Sequence, residues 1–115
     1  MNGKEMLAYG LSKRGAVEEA PFGPGVVVLK VGGKIFAILG VREARDTVSL
    51  KCDPEYAELL RRQYACIQPG YHLNKRHWNT IDLDGGLSDA ELEKLLEQSY
   101  ALVVKGLPRR TQALL

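Results

Sequence analysis

Residues 69–80 are the part of this 115-residue chain that is richest in side chains able to recognise another molecule. The segment contains the only tryptophan of the chain, both of its histidines and an adjacent Lys-Arg pair, but no acidic residue. Cationic and amide side chains contact phosphate groups, and aromatic rings stack on bases. The segment is therefore predicted to form the contact surface for an anionic partner.

The first hypothesis for this surface is DNA binding. Lysine, arginine, asparagine and threonine would contact phosphates, while histidine and tryptophan would stack on a base or a sugar. Cations from elsewhere in the chain would extend the surface if the fold brings them near. The candidate residues are His72, Asn74, Lys75, Arg76, His77, Trp78, Asn79 and Thr80 within the segment, and Lys34, Lys51, Arg61 and Arg62 outside it.

A second hypothesis is a module that binds a protein or a small anion through the same surface, with no role for nucleic acid. The five tyrosines and Trp78 would line a groove, with His72, Lys75 and His77 as its polar anchors. The net charge of +2 and the pI of about 8.6 are modest for a nucleic-acid-binding domain. Because both hypotheses use the same cations, the sequence leaves both open.

Catalysis and metal binding have less support. Cys66 would form a nucleophilic pair only if the fold places His72 or His77 within hydrogen-bonding reach of its sulfur. The two histidines are five positions apart, which fits no pair of ligands on one helix, and Asp82 and Asp84 resemble only half of a calcium loop. We therefore predict no catalytic residue, no cofactor and no metal site.

Capping signals and hydrophobic periodicity predict the elements that position these residues. A Gly32-Gly33 pair between two β-branched runs is typical of a hairpin. The predicted elements are a helix at 2–13, strands at 26–31, 34–39 and 46–52, a helix opened by Asp53 and Pro54, a short strand or irregular loop at 71–74, a strand at 77–83, and a helix from Ser88 to Gly106.

The order α-β-β-β-α-β-β-α predicts an α+β fold in a single domain spanning residues 1–115, in which one antiparallel sheet carries the helices on one face. Residues 107–115 are expected to form a flexible tail. No apolar run is long enough to cross a membrane, and no signal peptide opens the chain. A cytoplasmic protein with reduced cysteines is expected.

Five sequence segments, spread in order along nearly the whole chain, have the character of family motifs. They are Pro21-Phe22-Gly23, Gly33-Lys34-Ile35-Phe36-Ala37, Leu50-Lys51-Cys52-Asp53-Pro54, residues 69–80 and Ser99-Tyr100-Ala101-Leu102-Val103-Val104. With them the sequence resembles the MmcQ/YjbR family of small bacterial proteins. The resemblance implies a frataxin-like α+β fold, also called a double-wing fold, and a non-enzymatic DNA-binding function. It supplies no catalytic residues.

Overall fold

Six strands form one antiparallel sheet in the structure, a computed structural model that describes all of residues 1–115. The elements are α1 (Gly3–Leu11), β1 (Val17–Glu19), β2 (Val27–Val31), β3 (Lys34–Arg42), β4 (Arg45–Lys51), α2 (Pro54–Gln63), β5 (Ile67–Pro69), β6 (Trp78–Asp82), α3 (Asp89–Lys105) and α4 (Arg109–Ala113). The strand order in the sheet is β1-β2-β3-β4-β6-β5. The predicted α+β sandwich is confirmed.

The helices α1, α2 and α3 begin where local capping signals predict. Asn2 Oδ1 accepts the N–H of Glu5 at 2.9 Å, and the Glu5 carboxylate accepts the N–H of Asn2 at the same distance. Ser88 and Glu91 form the same reciprocal box at the start of α3. Each box satisfies N–H groups that the first helical turn leaves without partners.

Residues that pair across the sheet separate into two faces. Leu39, Val48 and Ile81 are neighbours in register and are buried in the core beneath the helices. The opposite row contains Ile38, Ser49 and Thr80, and no helix covers it. We call this second side the helix-free face. Because side chains alternate along a regular strand, every second residue of β4 and β6 points to it.

Two short edge strands were not predicted. β1 and β5 have three residues each, too few to show an alternating pattern. Residues 71–74, predicted as a short strand or an irregular loop, form a loop with a turn at Tyr71 and His72. None of the helices is both long enough and apolar enough to span a membrane.

The C-terminal segment differs from the expected flexible tail. It contains α4, and the side chain of Leu107 is buried. Gln112 Nε2 donates a hydrogen bond to the Leu107 carbonyl at 2.8 Å, and Leu115 packs against the core. The apolar residues Leu107 and Leu115 on either side of α4 anchor the segment.

A buried hydroxyl fastens α3 to the sheet beside a β-bulge. Leu29 pairs with Ala37 but Lys30 pairs with Ile35, so Phe36 is an extra residue on β3. Ser99 Oγ donates to the Phe36 carbonyl at 2.6 Å and accepts the Lys51 N–H at 2.8 Å. The Ser99 side chain is fully buried, so it satisfies backbone groups of two strands away from water.

Replacing Ser99 with alanine is expected to lower the free energy of unfolding by about 1–3 kcal/mol, because two buried backbone groups lose their partner. Urea unfolding followed by circular dichroism measures the change, and an unchanged m-value would show that the two-state transition is retained. Ser12→Ala, at the exposed end of α1, is the control and should change stability by less than about 0.5 kcal/mol. Equal losses in both variants would contradict this role for Ser99.

Candidate functional site

The predicted recognition segment folds back over the helix-free face as the loop between β5 and β6. The Gly70 N–H donates to the Trp78 carbonyl at 2.8 Å, and the Tyr71 N–H donates to Thr80 Oγ1 at 3.0 Å. A Cβ atom on Gly70 would lie 2.8 Å from the Trp78 Cβ and 3.1 Å from its carbonyl oxygen. Only glycine allows the loop to pack this closely against β6.

Trp78 lies beside two lysines of the predicted set. It pairs with Lys51 across β4 and β6, and a shallow pocket at the end of the sheet, bordered by the C-terminal end of α3, brings both next to Lys34 and Ile35. Neither Lys34 nor Lys51 forms a salt bridge. Lys30 joins the same pocket, but its Nζ is 2.9 Å from a Glu19 carboxylate oxygen. We call Trp78, Lys34 and Lys51 the tryptophan–lysine cluster.

Next to this cluster the helix-free face contains an apolar groove of about 440 Å³. Its floor contains Ile38, Ser49 and Thr80, and its rim contains Phe22 and Tyr71. His72 also lines it, with a φ of 60° that is unusual for a residue other than glycine. The histidine ring lies 4.0 Å from the Tyr71 ring, measured between centroids.

Arg61 and Asn79 have structural roles that the sequence did not predict. Arg61 Nη1 donates to the Lys75 carbonyl at 3.0 Å and to Asn79 Oδ1 at 2.8 Å. The Asn79 amide in turn donates to the Ala57 carbonyl at 3.2 Å, and this side chain is only 3 % exposed. The pair joins α2 to the loop, so both side chains already have partners within the protein.

Other members of the predicted set are divided between the loop and α2. Lys75 Nζ donates to the Gly70 carbonyl at 3.0 Å, and Asn74 Oδ1 accepts the Arg76 N–H at 3.0 Å, so both side chains stabilise the loop. Arg76 is exposed and forms no salt bridge. Arg62 lies on α2, paired with Glu58 at 2.5 Å.

Two more members of the predicted set are tied to strands. The Thr80 hydroxyl is buried and shares a 2.8 Å hydrogen bond with Ser49 Oγ. The backbone carbonyl of His77 accepts the N–H of Cys52 at 2.7 Å, and its ring is half-buried. Thr80 is therefore a buried residue at the floor of the apolar groove and not an exposed phosphate contact.

The two thiols are in surroundings that disfavour the thiolate. Burial raises the pKa of Cys52 to about 11, and burial also raises the pKa of Cys66. An activated cysteine has the opposite shift. His, Cys, Asp and Glu side chains nowhere gather in a group of three or more that could hold a metal ion.

Comparison with known proteins finds relatives of this chain by sequence and by structure. The family model named YjbR matches residues 11–102. The uncharacterized protein YjbR of Escherichia coli (strain K12) is 40% identical over 111 residues, which cover 96% of this chain and 94% of that protein. The uncharacterized protein YbdF of Escherichia coli O157:H7 is 41% identical over 92 residues, covering 80% and 75% respectively.

Two solved structures share the fold over most of the chain. Protein DR2400 of Deinococcus radiodurans, with a DUF419 domain, superposes with a TM-score of 0.90 at 34% identity, covering 97% of this chain and 86% of that one. A protein from Pseudomonas syringae gives a TM-score of 0.79 at 30% identity, covering 90% and 99%.

Gly70→Ala is expected to lower the free energy of unfolding by about 1–3 kcal/mol, because the new methyl group must displace Trp78 or the backbone of β6. Urea unfolding measures the loss, and a shift of the Trp78 emission reports the local displacement. Gly106→Ala is the control, since its Cβ would meet nothing nearer than 3.5 Å. A Gly70 variant as stable as the control would contradict the tight packing.

Both cysteines are expected to react with iodoacetamide at mildly alkaline pH more slowly in the folded protein than in urea. Their raised pKa values leave a smaller thiolate fraction in the folded state. Mass spectrometry of alkylated peptides measures each rate, and a Cys66→Ser variant isolates the contribution of Cys52. Faster alkylation of Cys66 in the folded protein than in the unfolded chain would reveal an activated thiolate.

Proposed function

This chain belongs to the YjbR family, and we propose that it binds single-stranded DNA on the helix-free face of its sheet. The observation that carries the proposal is the tryptophan–lysine cluster, in which the only tryptophan lies beside two lysines without carboxylate partners. Unpaired lysines attract phosphates, and an accessible aromatic ring stacks on a base. The cluster supplies both contacts within one shallow pocket.

Single strands suit this surface better than a duplex. Stacking on Trp78 needs a base whose face is free, which a single strand offers and an intact duplex does not. Reading a duplex commonly requires a helix or a ribbon in the major groove. The helices here pack mainly on the opposite side of the sheet, and only the C-terminal end of α3 borders the cluster, through Leu102, Val103 and Gly106. The cluster's own side chains come from β3, β4 and β6.

The loop over the helix-free face extends the basic surface. Arg76 is exposed on this loop, and the loop packs against Trp78 through Gly70. Lys75 lies on the same loop, where its amine donates to the Gly70 carbonyl. Since the net charge is only +2, affinity must come from this local group of cations rather than from the field of the whole molecule. Binding is expected to weaken steeply with salt.

The direct test is to titrate the protein with oligothymidylate and follow the fluorescence of Trp78, which reports from the cluster without competing tryptophans. We expect quenching on binding, and weaker binding to a duplex. The Lys34→Ala/Lys51→Ala variant should bind more weakly, with a log–log salt slope shallower by about 1.4, because each phosphate contact on a single strand contributes about 0.7.

The matched control is Lys4→Ala/Lys94→Ala, which removes the same charge from exposed positions on α1 and α3. This variant should bind like the unchanged protein. Equal weakening in both double variants would show only an effect of net charge and would contradict the proposed surface. Absence of any binding to single or double strands at low salt would leave a protein- or small-anion-binding module as the function.

A further inference from the structure

We propose that the apolar groove is a binding site for a small aromatic carboxylate, with its ring between Phe22 and Tyr71 and its carboxylate on Arg42. The groove lies on the helix-free face but does not include Trp78, Lys34 or Lys51. Its volume of about 440 Å³ falls in the range of roughly 300–1,000 Å³ that is usual for small-molecule sites. The inference therefore stands independently of DNA binding.

Three of the eight large apolar side chains that are exposed in this molecule line the groove. Phe22 is 66% exposed, Val41 63% and Tyr71 51%, and all three line it. Exposed apolar residues scattered singly need no explanation, whereas several around one concave surface mark a binding site. A flat apolar ring placed among them would remove part of this surface from water.

Charge determines which class of ligand fits. Arg42 is the only residue with a formal charge among those that line the groove, and it forms no salt bridge. Its guanidinium carbon lies 4.3 Å from the centroid of the Tyr71 ring, a stacking that holds the group at the rim. The next cation along the chain, Arg45, is already bound to Asp82 at 2.9 Å. Arg42 is thus available to form a two-pronged hydrogen bond with a carboxylate.

The floor offers one polar contact in an apolar setting. The hydroxyls of Ser49 and Thr80 share a single hydrogen bond, and Thr80 Oγ1 also accepts the Tyr71 N–H. Two hydroxyls carry two protons, so one proton of the pair has no acceptor within the protein. That proton can be donated to a polar substituent on the ligand ring. A site with one cation at its rim and one donor at its floor selects an anion with a polar atom on its apolar body.

The loop that carries Tyr71 holds a strained conformation at the groove. His72 has a left-handed φ of 60°, and its ring is tilted against the Tyr71 ring. Backbone conformations of this kind are unfavourable on their own and concentrate at ligand-binding positions. Here the conformation places two rings side by side at the rim, ready to contact a third.

The experiment uses hydroxybenzoate isomers and phenylacetate as probes, with the neutral amide of each as its partner. Nuclear magnetic resonance of ¹⁵N-labelled protein measures affinity and location together. We expect the carboxylate probes to shift the backbone N–H signals of Gly40, Val41 and Tyr71. The neutral amide probes should bind at least about tenfold more weakly, since they lose the charge-assisted hydrogen bonds to Arg42.

The variants separate this site from the rest of the surface. Arg42→Gln keeps the length of the side chain but removes its charge, and should abolish the preference for the carboxylate over the amide. Arg45→Gln is the matched control and should retain that preference. The Lys34→Ala/Lys51→Ala variant should bind the carboxylate normally even where it has lost DNA, so the two proposals fail separately.

Three results would overturn the inference. Equal affinity for carboxylate and amide would remove the role of Arg42, and shifts confined to other parts of the protein would remove the groove. Displacement of the carboxylate from the groove by oligothymidylate would assign the groove to a nucleobase of the bound strand instead.

Discussion

The hydrogen bonds of Ser99 determine how the two layers of this protein fit together. The hydroxyl fastens α3 to β3 and β4 beside the bulge at Phe36. The bulge lets Phe36 and its neighbour Ala37 both enter the core, although strict alternation would send one of them outward. It also returns Ile35 to the same side as Ile38, and both line the apolar groove. The bulge at Phe36 therefore adds an apolar side chain to the core and also places Ile35 on the helix-free face.

Local signals in the sequence predict most of the helices and strands. Features that depend on contacts between distant parts of the chain could not be predicted from it. The capping boxes of α1 and α3 involve residues three positions apart, so they are visible without knowing the fold. The glycine pair between β2 and β3 has φ values of 56° and 81° and is equally local. The bulge at Phe36, in contrast, depends on pairing with another strand. β1 and β5 exist because a neighbouring strand offers hydrogen bonds, not because of a pattern of their own.

The distinction between local and non-local signals also applies to the residues of the candidate site. Trp78 and Thr80 reach the helix-free face whereas Asn79 between them turns to α2, as the two-residue period of a strand requires. Treating residues 69–80 as one surface missed this alternation. Lys51 joins Trp78 through strand register, which spacing along the chain does not show. Val41 and Arg42 were missed altogether, because their role depends on the rim that the sheet and two loops build around them.

The edges of the sheet bear on whether a protein with one uncovered sheet face would pair with a second copy of itself. An uncovered sheet invites a second copy to add a strand at its border, which leads to aggregation. Here the border strands β1 and β5 have three residues each, too few to template an extended ladder. Pro69 lacks an N–H group at one border, and Glu18 and Glu19 place negative charge at the other. The margins of this sheet are thus poor templates for pairing with a second copy, although one broad face carries no helix.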